Sequence, residues 1–188
     1  MLPALPALQL RAEAGGHADA AFPHHLGLTI SRVEWRSEIT VRAQAPAGER
    51  GVVVCAVPAE LRIRLVHAEH GIRLARELPP NSCLAAEVLA HERRHVEVNR
   101  RTLRDTAAEV RMIARNWSQR AETRAPDINA AAVALQQELA RALEPALERL
   151  RVTREAAHAA IDTTEEYRRL SRVCPEDQRR LRAALRGG

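Results

Sequence analysis

Two histidines and a glutamate near the middle of the chain have the residue types and the spacing that a metal site requires. His91 and His95 are four residues apart, and Glu92 directly follows the first of them. In a helix of about 3.6 residues per turn both imidazoles leave the same face, so both can bind one zinc ion at about 2.0–2.1 Å. Glu92 then lies beside the first ligand, where its carboxylate can act as a general base on a water molecule.

The pattern His-Glu-x-x-His is typical of zinc metallopeptidases, and here it falls in a segment with helical spacing. It predicts a zinc metalloendopeptidase that hydrolyses a peptide or protein substrate, with Glu92 as the general base and Zn²⁺ as the cofactor. Two alternatives stay open at this point. The histidines can simply be exposed or packed on a helix, or the chain can be a non-catalytic envelope or interaction protein that retains a structural or vestigial metal site.

The third ligand of such a site has to come from outside the helix that carries the two histidines. Asp105 and Glu109 lie ten and fourteen residues after His95, which is about 15 and 21 Å further along a helix. Asn99 shares the face of His95 but is a poor zinc ligand, so we expect it to orient His95 or a substrate. The missing ligand is therefore expected from a later segment or from the sheet.

The segment from His158 to Tyr167 contains the best cluster of candidate ligands, with one imidazole, three carboxylates and the only tyrosine of the chain. We expect Glu166 to be the ligand, with Asp162, Glu165 and His158 as alternates. Because Asp162 and Glu166 are four residues apart, one can bind the metal while the other supports a histidine N–H. Tyr167 is predicted to be catalytic, because its hydroxyl can donate to a developing oxyanion.

The same acidic cluster also has a purely structural explanation. Asp162 can be the N-cap of a helix, Glu165 its capping-box partner, and Glu166 a residue that favours the positive end of the helix dipole. The sequence alone does not separate this explanation from metal binding.

The first part of the chain after residue 27 has the alternation of β-strands, most clearly where apolar residues alternate with arginines over 61–66. Residues 44–51 are expected to form a turn. The runs predict an antiparallel sheet with one face in water. The predicted strands are Leu28–Trp35, Glu38–Ala43, Gly51–Val57, Leu61–Val66 and Gly71–Ala75.

The second part of the chain has helical spacing. Asn81 or Ser82 is expected to cap a long helix that runs to about residue 120 and carries the two histidines. Pro126 breaks the pattern, and Asp127 is the next expected N-cap. The further predicted helices cover 128–161, with a kink near Pro145, 163–173, and 175 to a point before the final glycines.

These patterns predict an α+β fold, with a small N-terminal antiparallel sheet followed by long helices. Residues 1–27 are rich in Ala, Gly and Pro and have little periodicity, so we expect a flexible N-terminal arm. The length of 188 residues fits one domain over 28–188. This domain divides into a sheet portion over 28–78 and a helical portion over 79–188.

The charge of the chain does not favour a nucleic-acid partner. All 29 basic residues are arginines, but they are spread along the chain and interleaved with 24 acidic residues, for a net charge of +5. A nucleic-acid binder needs a contiguous basic face, and a base-stacking surface needs more than the 2% of aromatic residues found here. We therefore expect no nucleic-acid partner. The chain has no apolar run of about 18 residues, so no membrane-spanning segment is expected.

Several motifs, spread over about half of the chain, resemble a known family. Strands lead to Ile72–Glu77, then to Pro-Pro-Asn-Ser-Cys83 and to Val88–Asn99, and the tail Ile161–Tyr167 is followed by Cys174. These motifs are similar to those of uncharacterised bacterial proteins described as zinc-dependent proteases. The resemblance implies a zincin-like fold, a zinc site at His91 and His95 with Glu92 as base, and export to the periplasm or the exterior. The members carry an Asp-containing motif where this chain has Asp-Thr-Thr-Glu-Glu-Tyr.

The cysteines and the N-terminus bear on the location. No two of Cys55, Cys83 and Cys174 form a C-x-x-C pair, which argues against a cysteine-based zinc site. If the protein is exported, Cys83 can form a disulfide with Cys174. A disulfide between Cys55 and Cys83 is an alternative, and three free thiols are a third arrangement. The first residues have a short apolar stretch but no basic start, so they are either the end of a signal peptide or a loose arm. We expect export, and a cytoplasmic location stays open.

Overall fold

The computed structural model describes residues 1–13, 26–44 and 53–186. The strands of these residues form one three-stranded sheet in the order β1-β2-β3, with β2 and β3 antiparallel. The expected α+β class, with an antiparallel sheet followed by helices, is confirmed. In chain order the elements are α1 (Ala7–Glu13), β1 (Gly27–Gln44), β2 (Val54–Leu74), α2 (Cys83–Ser118), β3 (Thr123–Ala125), α3 (Ile128–Ala159), α4 (Thr164–Arg172) and α5 (Pro175–Arg186).

The strands are longer and fewer than the sequence predicts. β1 covers two of the predicted strands and β2 covers the other three, so the prediction of five separate strands is wrong. The expected breaks, at 36–37, 58–60 and 67–70, fall on residues that are exposed or half-buried. A short polar stretch such as Arg36-Ser37 on the solvent side of a sheet does not interrupt a strand, so it is a poor marker of the strand's end. Gln44 ends β1, and the rest of the expected turn lies outside the described residues.

The caps of the long helices agree with the sequence. Ser82 Oγ accepts a hydrogen bond from Ala85 N at 3.1 Å, so Ser82 caps α2. Asp127 Oδ1 accepts from Ala130 N at 2.8 Å and caps α3. These bonds satisfy backbone N–H groups that have no partner inside the helix. None of the helices in the described ranges is both long enough and apolar enough to span a membrane.

The start of α4 differs from the structural explanation of the acidic cluster. The N-cap is Thr163, whose side chain accepts from Glu166 N at 3.2 Å. The alternative in which Asp162 is the cap is wrong, because threonine supplies an equivalent oxygen one residue later. The carboxylate of Asp162 is therefore available for other contacts.

The contacts of the chain divide it into two compact units. Unit 1 consists of Met1–Arg32, His67–Arg101 and Arg154–Gly188, and unit 2 consists of Val33–Val66 and Thr102–Thr153. Each unit has a core of its own. The core of unit 1 contains Ala7, Leu10, Ala75, Leu78, Leu84, Ala85, Val88 and Leu181. A core of unit 2 contains Val110, Trp117, Ala121, Leu135, Leu139, Leu143 and Ala146. The expected single domain over 28–188 stays a prediction.

The first thirteen residues belong to the segment that the sequence favours as a flexible arm, yet they pack against unit 1. Leu2 N donates to Ile72 O at 2.9 Å, and Ala7 N donates to Glu77 Oε2 at 3.0 Å. Leu10 of α1 is fully buried. A seven-residue helix is too short to show a clear period, which is why the sequence gives no sign of this packing. Residues 14–25 lie outside the described residues.

A disulfide joins the first residue of α2 to the link between α4 and α5. Cys83 and Cys174 form this bond, with their Cα atoms 5.8 Å apart. Asp177 of α5 reinforces the same junction, because its Oδ2 accepts from Leu84 N at 3.0 Å. The remaining cysteine, Cys55, is buried and unbridged. Of the three arrangements left open by the sequence, the structure has the pairing of Cys83 with Cys174.

The packing of α1 can be tested with two leucines of the same helix. We expect Leu10→Ala to lower the free energy of unfolding by about 2–5 kcal/mol, because it leaves a cavity in the core. Leu8 is 79% exposed, so Leu8→Ala should change the free energy of unfolding by no more than about 0.5 kcal/mol. Denaturant unfolding of both variants measures the difference. Equal effects would contradict the packing of the N-terminal segment.

Candidate metal centre

Two helical turns of α2 and the turn after α3 bring three side chains together. His91 and His95 lie on one face of α2 and are buried, with 5% and 7% of their surface exposed. Asp162 follows α3, where its backbone N donates to His158 O at 3.0 Å. Its side chain is 35% exposed, so the group has one side toward solvent.

The ligand atoms of this group form a nearly equilateral triangle. Nε2 of His91, Nε2 of His95 and Oδ1 of Asp162 are each 3.1 Å from the other two. Three tetrahedral ligands at about 2.0–2.1 Å from a zinc-sized ion are about 3.3 Å apart, close to the observed spacing. Two imidazole nitrogens and one carboxylate oxygen are also a common donor set for transition metals. The three residues therefore fit a metal ion and can hold one.

The electrostatics of the group favour a cation. Burial alone would raise the pKa of Asp162, but its contacts with His91 and His95 hold that pKa well below its usual range. Burial alone would lower the pKa of His91, but its contact with Asp162 and the charge of Glu92 outweigh burial and raise that pKa. Asp162 is therefore ionised at neutral pH. Protons and a metal ion compete to neutralise it.

Glu166 supports His91 from the side away from the triangle. Its Oε1 lies 3.3 Å from Nδ1 of His91 and pairs with Arg94, which reaches the same Nδ1 at 2.9 Å. Its Oε2 accepts from Arg169 Nε at 3.0 Å. The bond to Arg169 is the main reason why the pKa of Glu166 falls to about 2, so this carboxylate is ionised and only accepts. Arginine N–H groups only donate, so Arg94 and Glu166 compete for Nδ1 of His91. When Nδ1 carries the proton and donates to Glu166, Nε2 keeps its lone pair.

Glu92 is held in a dry position next to the two histidines. It is 6% exposed, and its Oε2 accepts from Thr29 Oγ1 of β1 at 2.7 Å. Gly27 of β1 makes this approach possible, because a Cβ there would lie 2.6 Å from Glu92 Oε1 and 2.7 Å from Val88 Cγ1. Burial raises the pKa of Glu92, and the Thr29 hydrogen bond only partly offsets it.

Tyr167 lies against the carboxylate of the group. Its hydroxyl donates to Asp162 Oδ1 at 3.0 Å, and its ring centroid is 6.0 Å from that of His91. Burial, followed by the charge of Asp162, raises the pKa of Tyr167 above its usual value. The hydroxyl is therefore a proton donor at neutral pH.

The structure distinguishes the candidate ligands of the acidic segment. Asp162, an alternate, joins the two histidines in the triangle, whereas Glu166, the expected ligand, supports His91. Glu165 is exposed and lies 3.9 Å from Arg168. His158 contacts His95 through the two Nδ1 atoms, 2.7 Å apart, and burial, followed by the charge of His95, lowers its pKa to about 4. These positions allow Asp162 to bind a metal ion while Glu166 contacts His91, and the expectation that one carboxylate binds the metal while the other supports a histidine N–H stays a prediction.

A second trio in the described part of the chain has ligand-type atoms close together. It consists of Cys83, Cys174 and Asp177. The two sulfur atoms are joined in the disulfide, so they are not thiolate ligands. The oxygen of Asp177 accepts from the start of α2. This trio is explained by its structural bonds.

The sequence did not point to the residues that support the centre from other elements. Gly27 and Thr29 lie in a strand more than sixty residues away from the motif, and nothing in their spacing links them to it. Arg94 occupies a position that the motif leaves unspecified, and Arg169 reads as one of many surface arginines. A glycine at the start of a predicted strand was the one available sign of a close approach.

Comparison of the chain with protein-family models, with curated proteins and with solved structures finds no match. Any statement about function therefore depends on the geometry and chemistry of the centre itself.

The role of Asp162 can be separated from a general loss of acidic charge. Loss of a residue that only supports a ligand typically weakens metal binding by about 10–100-fold. We expect Asp162→Asn to weaken the binding of zinc, used as the probe ion, by more than this. Glu165→Gln removes the same charge three residues away and should leave the affinity unchanged. Competition with a chromophoric chelator measures both. Equal affinities in the two variants would contradict Asp162 as a ligand.

Proposed function

We propose that the chain is a zinc-dependent metalloendopeptidase with a zincin-like fold. The observation that carries this proposal is the group of three ligand atoms with one side toward solvent, next to a buried glutamate. A structural zinc site is closed by four protein ligands, whereas a catalytic site has three and keeps a position open. Among the described residues the group has three members, and Asp162 is partly exposed.

Zinc is the ion that we propose for this donor set. Imidazole nitrogen and carboxylate oxygen are both ordinary zinc ligands, and His₂ with one carboxylate is a recurrent catalytic set. The histidines are also held from behind, His91 by Glu166 and His95 by His158. Such contacts fix the orientation of the ring and strengthen the metal bond.

The reaction that fits these residues is the addition of water to a peptide carbonyl. A zinc ion held by His91, His95 and Asp162 would supply Lewis acidity, which polarises the carbonyl and acidifies water. Glu92 takes the proton from the attacking water and passes it to the leaving amine. Its raised pKa suits this role, because a base with a pKa nearer to the working pH both accepts and returns a proton.

Tyr167 is suited to stabilise the negative charge that develops on the carbonyl oxygen. Its hydroxyl is protonated and lies at the edge of the metal group, on Asp162 Oδ1. In the presence of substrate, the hydroxyl would turn from Asp162 to the carbonyl oxygen and donate there.

β1 is suited to bind an extended peptide. It is a terminal strand of the sheet among the described strands, and its Gly27 and Thr29 contact Glu92. A terminal strand offers backbone N–H and C=O groups to which a peptide can add as a further strand. A substrate bound in this way would lie alongside the general base.

The disulfide supports a location outside the cytoplasm. Bonds such as Cys83–Cys174 form and persist in the periplasm and outside the cell, and they are rare in the cytosol. We therefore infer that the protein is exported and meets its peptide or protein substrates there.

The central experiment replaces the general base. Glu92→Gln keeps the size of the side chain but cannot take a proton, so we expect kcat to fall by about 10²–10⁴-fold with zinc content unchanged. Glu97→Gln, an exposed position of the same helix, should retain full activity. Cleavage of a mixture of fluorescence-quenched peptides measures activity. Equal cleavage by wild type and Glu92→Gln would contradict the mechanism, and bound zinc without any cleavage would instead support a non-catalytic interaction protein.

The close approach of β1 to Glu92 gives a second test. A Cβ at Gly27 would displace Glu92, so we expect Gly27→Ala to lower kcat while zinc content is retained. Gly71→Ala is the matched control, because its Cβ would meet Leu2 at 2.7 Å, outside the metal group. It should cost stability but leave kcat within about twofold. If kcat falls equally in both variants, replacing a glycine lowers kcat wherever it lies, and the effect at Gly27 does not act through Glu92.

A further inference from the structure

One histidine touches the metal group from outside the triangle of ligand atoms. His158 Nδ1 lies 2.7 Å from His95 Nδ1, and His158 Nε2 lies 3.0 Å from Asn99 Oδ1. Asn99 is on α2, one turn after His95, and only 1% of its surface is exposed. The three side chains therefore form a row of hydrogen bonds that leads away from the metal group between α2 and the end of α3.

The oxygen of Asn99 sets the direction of this row. An amide oxygen only accepts, so the proton in the 3.0 Å contact belongs to Nε2 of His158. A neutral ring protonated on Nε2 has a lone pair on Nδ1, so the proton in the 2.7 Å contact belongs to Nδ1 of His95. Nε2 of His95 is then left with its lone pair, and this is the atom that faces His91 and Asp162.

We propose that His158 is a positioning residue that keeps His95 in its metal-binding tautomer, and that Asn99 in turn keeps His158 in the tautomer that does so. His158 acts through His95 and does not bind the ion itself. The assignment rests on the proposed metal centre, and only its kinetic consequence rests on the proposed peptidase activity.

The two histidine ligands are then supported in different ways. His91 faces the ionised carboxylate of Glu166, whereas His95 faces a neutral imidazole. A carboxylate raises the basicity of the ligand that donates to it, and a neutral acceptor does so less. His158 therefore fixes the ring of His95 without adding negative charge, which leaves more positive charge on a bound ion to polarise a carbonyl.

The tautomer of His158 can be observed directly. Long-range ¹H–¹⁵N spectra of the zinc-loaded full chain distinguish a protonated ring nitrogen from an unprotonated one. The expected result is a proton on Nε2 of His158. The reverse order, with the Asn99 amide donating, would put the proton on Nδ1 of His158, direct a proton onto Nε2 of His95, and overturn the proposal.

Variants of His158 test the consequence for metal binding. We expect His158→Ala to weaken zinc binding by about 10–100-fold. His158→Gln should recover most of the affinity, because its amide oxygen can accept from His95 Nδ1–H. His70→Ala is the control, since His70 stacks on His67 at 4.3 Å in the same unit and is not a member of the row. If His158→Ala does not fold, the zinc affinity of His158→Gln and the tautomer of His158 in the wild type test the proposal instead. A zinc affinity that His158→Ala leaves equal to wild type overturns the proposal.

Kinetics separate this proposal from the proposed function. At saturating zinc we expect His158→Ala to lower kcat while KM stays within about twofold, because the residue orients a ligand and does not touch substrate. If His158→Ala loses zinc affinity but the wild type cleaves no peptide, the role of His158 is supported and only the proposed peptidase activity is contradicted. Cleavage by the wild type, with zinc affinity and kcat unchanged in His158→Ala, removes only the role of His158.

Discussion

The close approach of three electron-rich atoms is the constraint on which the rest of the site depends. Two imidazole nitrogens and a carboxylate oxygen lie 3.1 Å from one another, a spacing at which their lone pairs repel unless a proton or a metal ion lies between them. The contact of His158 favours a proton on the far nitrogen of His95, and Glu166 can accept a proton from the far nitrogen of His91. A metal ion satisfies all three atoms at once.

Two of the helices that touch the centre begin at bonds that fix their ends. α2 begins at a disulfide and is capped from α5 by Asp177, and α4 begins at Thr163, which leaves Asp162 free to face the histidines. β1 passes α2 so closely that only a glycine fits beside Glu92. Local backbone chemistry therefore places the side chains of Asp162, Glu92 and Glu166 around the two histidines.

How much the sequence predicts depends on the range of each signal. Helix spacing placed His91 and His95 on one face, and short polar residues marked the caps Ser82 and Asp127, because both signals are local. The choice between Asp162 and Glu166 could not be made, since two carboxylates one helical turn apart differ only in how the turn after α3 orients them. The contacts of Gly27 and the packing of α1 are long-range and have no local pattern.

The measurement that tests the metal centre most directly is a crystal structure of the zinc-loaded chain with anomalous scattering recorded at the zinc edge. We expect one anomalous peak, bonded to Nε2 of His91, Nε2 of His95 and Oδ1 of Asp162, with a remaining position open to solvent. A peak bonded to Glu166 or His158 in place of Asp162, or a zinc ion held elsewhere with the triangle empty, would contradict it.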